Sequence, residues 1–190
     1  MVDVQTIGVL VTATSVSVAA FYYVMTLRAQ SENMKHTLET RQIQLLMQLS
    51  EFITTKEGMK NYLEFNNMEW TDYDDFEKKY GSDVNPDSYA LRESMAGWFN
   101  RAGTLLRDGI LDRKLLYDFL GIATISLWNK YGENVRTQRR LYEMPWLWRD
   151  WEYLYDEMVK IGAERGFDTH YKEEPRYTDE MRRKLAAKST

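Results

Sequence analysis

The sequence predicts an all-α protein: one N-terminal transmembrane helix followed by a multi-helix bundle on the cytoplasmic side. Three observations lead there. Residues 4–27 carry no charged side chain. Beyond them, apolar residues recur at three- and four-residue spacing, the period of a helix buried on one face. The 190 residues include only 10 Gly and 3 Pro, few for the many tight turns of an all-β chain.

The uncharged run VQTIGVLVTATSVSVAAFYYVMTL would reach roughly 36 Å as a helix, at about 1.5 Å per residue. That is enough to cross a hydrocarbon core about 30 Å thick with some tilt. Thr6, Thr12, Thr14, Ser15 and Ser17 temper its apolarity, but such hydroxyls can bond to the carbonyl one turn earlier. Two rival readings stand beside the anchor. A cleaved signal peptide would use the small residues Val18-Ala19-Ala20, yet no Lys or Arg precedes the run, and it continues through Phe21, Val24 and Leu27. A buried helix of a soluble core is the other rival. Only Asp3 precedes the run, whereas Arg28, Lys35 and Arg41 follow it. The excess of positive charge places the N-terminus outside the cell membrane and the remainder in the cytoplasm. Tyr22 and Tyr23 suit the inner interfacial belt, and Arg28 can snorkel to phosphate. These three are the candidate membrane-interface residues. Gly8, Thr12 and Ala20, and likewise Ala13 and Ser17, offer small-residue faces for helix packing in lipid.

The expected organisation is an anchor over 1–29, a helical domain over 30–166 and a charged tail over 167–190. A helix over 30–56, with Met34, Leu38, Leu45, Leu49 and Phe52 on one stripe, is either separate from the span or continuous with it. Leu38, Leu45 and Phe52 are seven apart, but the alternate heptad positions are mostly polar, so a coiled coil is not sustained. Gly58 is expected to interrupt the chain before a short helix over 59–66. Thr71 and Asp72 cap a helix over 73–80 that Gly81 ends. Residues 82–87 read as a loop whose Pro86 and Asp87 are placed to start another helix, over about 88–107, with Met95, Trp98 and Ala102 inward and Gly97 and Gly103 permitting close approach. Asp112 caps the next, which Gly132 is expected to close near Tyr131. A basic stretch over 133–143 follows, broken by Pro145. The last large helix is expected over 146–164, stopped by Gly166, and Thr178 can start a short helix in the tail.

The composition excludes several chemistries. Cysteine is absent, which removes disulfides, thiolate nucleophiles and Cys-based metal sites. The net charge of −4 provides no field to attract nucleic acid. Asp72, Asp74, Asp75 and Glu77 form an acidic cluster, and Asp83, Asn85 and Asp87 alternate as calcium ligands do. The loop nevertheless lacks a Gly at its sixth position and a Glu at its twelfth, so a solvated cap-and-loop cluster is the better account. His36 with Glu32 one turn away has no further ligand nearby, and His170 lies in the polar tail. No GxSxG elbow or phosphate-binding glycine loop occurs. Arg136, Arg139 and Arg140 beside Trp146 and Trp148 suggest a stacking platform for single strands. The acidic Glu143, Asp150, Glu152, Asp156 and Glu157 argue against it and favour internal ion pairs or a membrane-facing surface. No catalytic residue, cofactor, metal or nucleic-acid partner is therefore expected.

One stretch carries a family resemblance: Phe99-Asn100-Arg101, then Gly109-Ile110-Leu111-Asp112, then Tyr117-Asp118-Phe119-Leu120-Gly121, then Leu127-Trp128. Through these motifs the chain resembles an uncharacterised group of small bacterial and archaeal proteins known only as a domain of unknown function. The likeness extends loosely over residues 38–160. It implies an N-terminal membrane helix and a compact helical domain, and it carries no catalytic residue.

Two expectations of function follow. The first is a single-pass membrane-anchored protein that binds a membrane or cytoplasmic protein, as accessory subunit or scaffold, and is not an enzyme. The second is a membrane-tethered enzyme or ligand sensor whose pocket lies within the helical domain. Self-association through the anchor, giving a homo-oligomer, is a third reading.

Overall fold

The computed structural model describes residues 3–169, which form six helices and no strand. The helix α1 (Val4–Thr54) runs unbroken through the apolar segment and past it. No Gly or Pro lies between Gly8 and Gly58, so nothing in that stretch interrupts the backbone ladder. This helix is long and apolar enough to cross a membrane, and among the described residues none of its most apolar window is buried. The chain divides into two compact units, one ending at Gln44 and the other beginning at Leu45.

The second unit comprises the end of α1 together with α2 (Lys56–Asn67), α3 (Tyr73–Tyr80), α4 (Pro86–Arg107), α5 (Arg113–Leu141) and α6 (Arg149–Glu164). The helix α6 packs against both α4 and α5. Aromatic rings dominate the seam. Phe99 stacks on Trp151 with centroids 5.2 Å apart, Trp151 meets Trp128 edge-on at 5.1 Å, and Phe65 stacks on Tyr131 at 4.2 Å. Each buried side chain of this size removes enough apolar surface to contribute about 1.5–3 kcal/mol. Leu45, Leu49, Phe52 and Ile53 from the end of α1 pack on this core from outside.

Local chemistry explains the boundaries. Asp72 caps α3 by accepting from Asp75 N–H at 2.9 Å, and Asn85 caps α4 before Pro86. Asp112 accepts from both Lys114 and Leu115 N–H, at 2.9 and 3.0 Å, to open α5. Three expected boundaries move. The break near Gly58 falls at Thr55, whose hydroxyl accepts from Gly58 N–H at 2.9 Å. Gly58 therefore lies in the first turn of α2, where a Cβ would stand 1.9 Å from the carbonyl oxygen of Phe52. Gly132 does not end α5. The helix continues to Leu141 because Tyr131, Asn134 and Val135 extend its buried stripe, which absorbs the basic stretch 133–143. The last helix begins at Arg149, not 146, since Met144 to Trp148 make turns around Pro145. Glu143 and Trp148 in that joint adopt left-handed φ of 54° and 51°. The expected helix start at Thr178 and His170 lie outside the described residues.

Candidate functional site

The motifs that carry the family resemblance form joints between helices. Phe99 is fully buried against Trp151. Asn100 Oδ1 accepts from the backbone N–H of Asp150 and of Trp151, at 3.1 and 3.2 Å. It thus caps α6 from a neighbouring helix, where α6's own N-cap residue, Trp148, supplies no side-chain bond. Gly103 lets this joint close: a Cβ there would lie 1.8 Å from the carbonyl oxygen of Asp150. A Cβ at Gly97 would meet only ordinary van der Waals contacts, so that glycine gives no such closure. Thr104 donates to the Asp150 carboxylate at 2.8 Å, and Arg107 pairs with it. Gly109 turns the chain at φ 68°, Leu111 is buried, and Arg165 lies over the Tyr117 ring while pairing with Asp118.

Two concave features lie in the second unit. The first is an apolar groove of about 390 Å³ between the end of α1 and α4. Leu45, Leu49 and Phe52 line one wall at helical spacing, and Trp98 and Leu105 line the other, with Gln48, Arg101 and Thr104 as polar members. Trp98 donates its indole N–H to the carbonyl of Leu49 at 3.0 Å, which ties the walls together. The second is a small cavity of about 30 Å³ among α4, α5 and α6. Arg92, Glu93, Tyr131, Asn134, Trp148 and Trp151 line it, with Gln138 and several apolar side chains. Arg92 is buried, its guanidinium 3.4 Å from the Glu77 carboxylate and 4.4 Å from the Phe76 ring centroid. Burial pushes the Glu93 carboxyl above the usual glutamate range, an effect that Arg92 opposes and Glu77 reinforces. Burial also raises the Tyr131 phenol, which donates to the carbonyl of Phe65 at 2.6 Å.

The expected sites distribute as follows. Tyr22, Tyr23 and Arg28 project from α1 as exposed side chains. Asp74 and Asp75 pair with Lys78 and Lys79 one turn on, and Glu77 with Arg92, so the acidic cluster is spent on caps and ion pairs. His36 is exposed beside Glu39, at 3.5 Å. Arg139 donates to the Leu147 carbonyl at 2.8 Å and pairs with Glu152, Arg136 also reaches Glu152, and Arg140 reaches Glu133. These arginines therefore make the internal ion pairs that the nearby carboxylates suggest.

The family model described as a domain of unknown function, DUF4760, matches residues 9–158. The chain belongs to this family. Comparison with curated proteins and with solved structures finds no match. The DUF4760 match takes in most of α1 and every later helix through most of α6, so both concave features fall inside it. Sequence reasoning missed Asn100 as a cap, and Arg92 and Asn134 as buried polar groups. A signal for the last two existed: Arg92 precedes Met95 and Ala96 by one turn, and Asn134 follows Tyr131 by one, each on an apolar stripe.

Proposed function

We propose that this DUF4760 chain is a single-pass membrane protein whose helical domain binds a partner protein, as an accessory subunit or scaffold, in a bacterial or archaeal cell membrane. The observation that carries the reading is the groove between α1 and α4. Its walls present apolar residues at i, i+4 and i+7 on α1 and at i and i+7 on α4. That is the shape into which an amphipathic helix lays its apolar face. Arg101 on the same groove is exposed and has no ion pair among the described residues. The occupant is therefore an amphipathic helix bearing an acidic residue.

The anchor reading rests on satisfied polar groups. Thr12, Thr14, Ser15, Ser17 and Thr26 each donate to the carbonyl four residues earlier, at 2.8 or 2.9 Å. None of these hydroxyls then needs water, which makes lipid a tolerable solvent. Tyr22, Tyr23 and Arg28 supply the inner margin, with the N-terminus outside and the domain in the cytoplasm. The ligand-sensor reading has less behind it: the small cavity is far below the roughly 300–1,000 Å³ of organic-ligand pockets, and the groove, at about 390 Å³, offers only Gln48, Arg101 and Thr104 as polar members.

The test is a photoreactive residue at Gln48 in the groove, compared with one at exposed Glu64 on α2, in native membranes. A heavier adduct is expected from Gln48 only, and Arg101→Glu should remove it. No adduct at Gln48, equal adducts at both positions, or an adduct indifferent to Arg101→Glu would overturn helix docking. Lipid as the sole crosslinked species would do the same.

A further inference from the structure

The joint between α5 and α6 leaves an apolar tip uncovered. Leu141, Tyr142, Met144 and Trp146 are all exposed there, and neither concave feature includes any of them. Trp146 is 64% exposed, whereas every other tryptophan of the chain is buried or half-buried. The tip is held in place. Met144 N–H donates to the Arg139 carbonyl at 3.1 Å, Leu147 N–H to that of Met144 at 3.1 Å, and Arg149 N–H to that of Trp146 at 3.2 Å. The Arg139 side chain also binds the Leu147 carbonyl. Among the described residues, Glu143 and Trp148 are the two non-glycine positions with left-handed φ, and they bracket this turn. Backbone of that kind persists where its surroundings over-determine it, and it gathers at functional surfaces. A fixed aromatic projection also loses little freedom on binding.

We propose that this tip is the contact between two copies of the chain, related by a two-fold axis. The charges select the occupant. Arg140 and Glu143 are both exposed and flank the apolar side chains. The pair that Arg140 makes with Glu133, at 3.2 Å, lies in solvent and exchanges at little cost. Glu143 has no ion pair among the described residues. A two-fold contact brings one position to a second and the second to the first, so Arg140 of each copy meets Glu143 of the other. An anionic lipid surface or a nucleic acid would instead face Glu143, set between Tyr142 and Met144. The four side chains leave roughly 500 Å² uncovered per copy, taking about 150–250 Å² for a whole aromatic side chain. Two copies together then bury about 1,000 Å², the lower bound of a specific interface. Confinement of both copies to one bilayer, which rests on the anchor reading above, raises their effective concentration and strengthens so small a contact. The tip shares no residue with the groove, so helix docking and self-association stand independently.

The experiment uses the full chain in native membranes, where the absence of cysteine makes a single Met144→Cys the one reactive thiol. A short bismaleimide should give a covalent species of twice the chain's mass, with Tyr142→Cys as the second position if the first variant does not fold. Exposed Glu64→Cys on α2, treated alike, should give none. Trp146→Ser should lower the dimer yield roughly tenfold at unchanged circular dichroism, the effect of removing an aromatic anchor. Glu143→Arg and Arg140→Glu, each added to Met144→Cys, should abolish crosslinking alone and restore it when co-expressed, as a species carrying the tags of both. No dimer from either position, an equal yield from Glu64→Cys, or charge variants without effect would overturn the contact. An adduct with a different protein in place of the dimer would assign the tip to that protein, and the proposal fails. Alkaline carbonate on the same membranes reports the anchor separately: a crosslinked dimer that carbonate releases keeps the contact and removes the span.

Discussion

Glu93 shows what a half-buried carboxyl does to this domain. Its carboxyl is held up chiefly by burial, with Glu77 adding to the shift and Arg92 opposing it. Over the window above the ordinary glutamate value, about pH 4, the folded state keeps a proton that the unfolded chain has released. Stability therefore falls as pH rises through that window, since the state binding more protons is favoured at low pH. Glu93→Gln removes the titration while keeping the shape. The expected outcome is a variant that melts above the wild type at pH 7 and converges with it near pH 4, read by circular dichroism. A variant that loses stability at pH 7 but not near pH 4 would show that Glu93 acts through its charge on Arg92 instead. The sequence holds little warning of this role, because Glu93 is one of 29 acidic residues and only the fold buries it together with its neighbour Arg92.

Among the helices, caps were legible and joints were not. Asp72, Pro86 and Asp112 each announce a helix start by residue type alone, and each does so in the structure, whereas Asn85, which caps α4, falls in the stretch that reads only as loop. Glycine was the ambiguous signal. Gly81 and Gly166 end helices, whereas Gly58 and Gly132 sit inside them, because a glycine absent of Cβ serves close packing as readily as a turn. The start of α6 was unreadable for a different reason: its capping oxygen comes from Asn100, distant in sequence. Gly58 is the sharpest case. A methyl group there meets the Phe52 carbonyl at 1.9 Å, and the same backbone must let Thr55 cap α2. Gly58→Ala gains intrinsic helix propensity of about 1 kcal/mol, yet the forced shift of the joint costs about 1–3 kcal/mol. A net loss of stability is expected in urea unfolding. A gain would mean that the joint yields freely and that Gly58 is not needed for close approach.

For the whole molecule, the division between an uncovered apolar helix and an aromatic-rich domain follows from composition. Residues 4–27 have no charge to solvate, and their apolar side chains, Val9, Val16 and Phe21 among them, remain more than 60% exposed. An exposed face of that kind in water would drive association, whereas in lipid it is the favoured surface. Which solvent surrounds it, and which end faces the cytoplasm, is testable because the chain has no cysteine of its own. Single cysteines at Gln5 and at exposed Glu57 report the two sides of the proposed span without background. With a membrane-impermeant maleimide applied to intact cells, Gln5→Cys should be labelled and Glu57→Cys should not. After lysis both should react, and both variants should stay with the membrane through alkaline carbonate. Labelling of Glu57→Cys alone in intact cells would reverse the topology. Release by carbonate would return the helix to a soluble setting, and loss of the segment carrying position 5 would make it a cleaved signal. The expected orientation rests on Arg28, Lys35 and Arg41, which follow the run while no Lys or Arg precedes it.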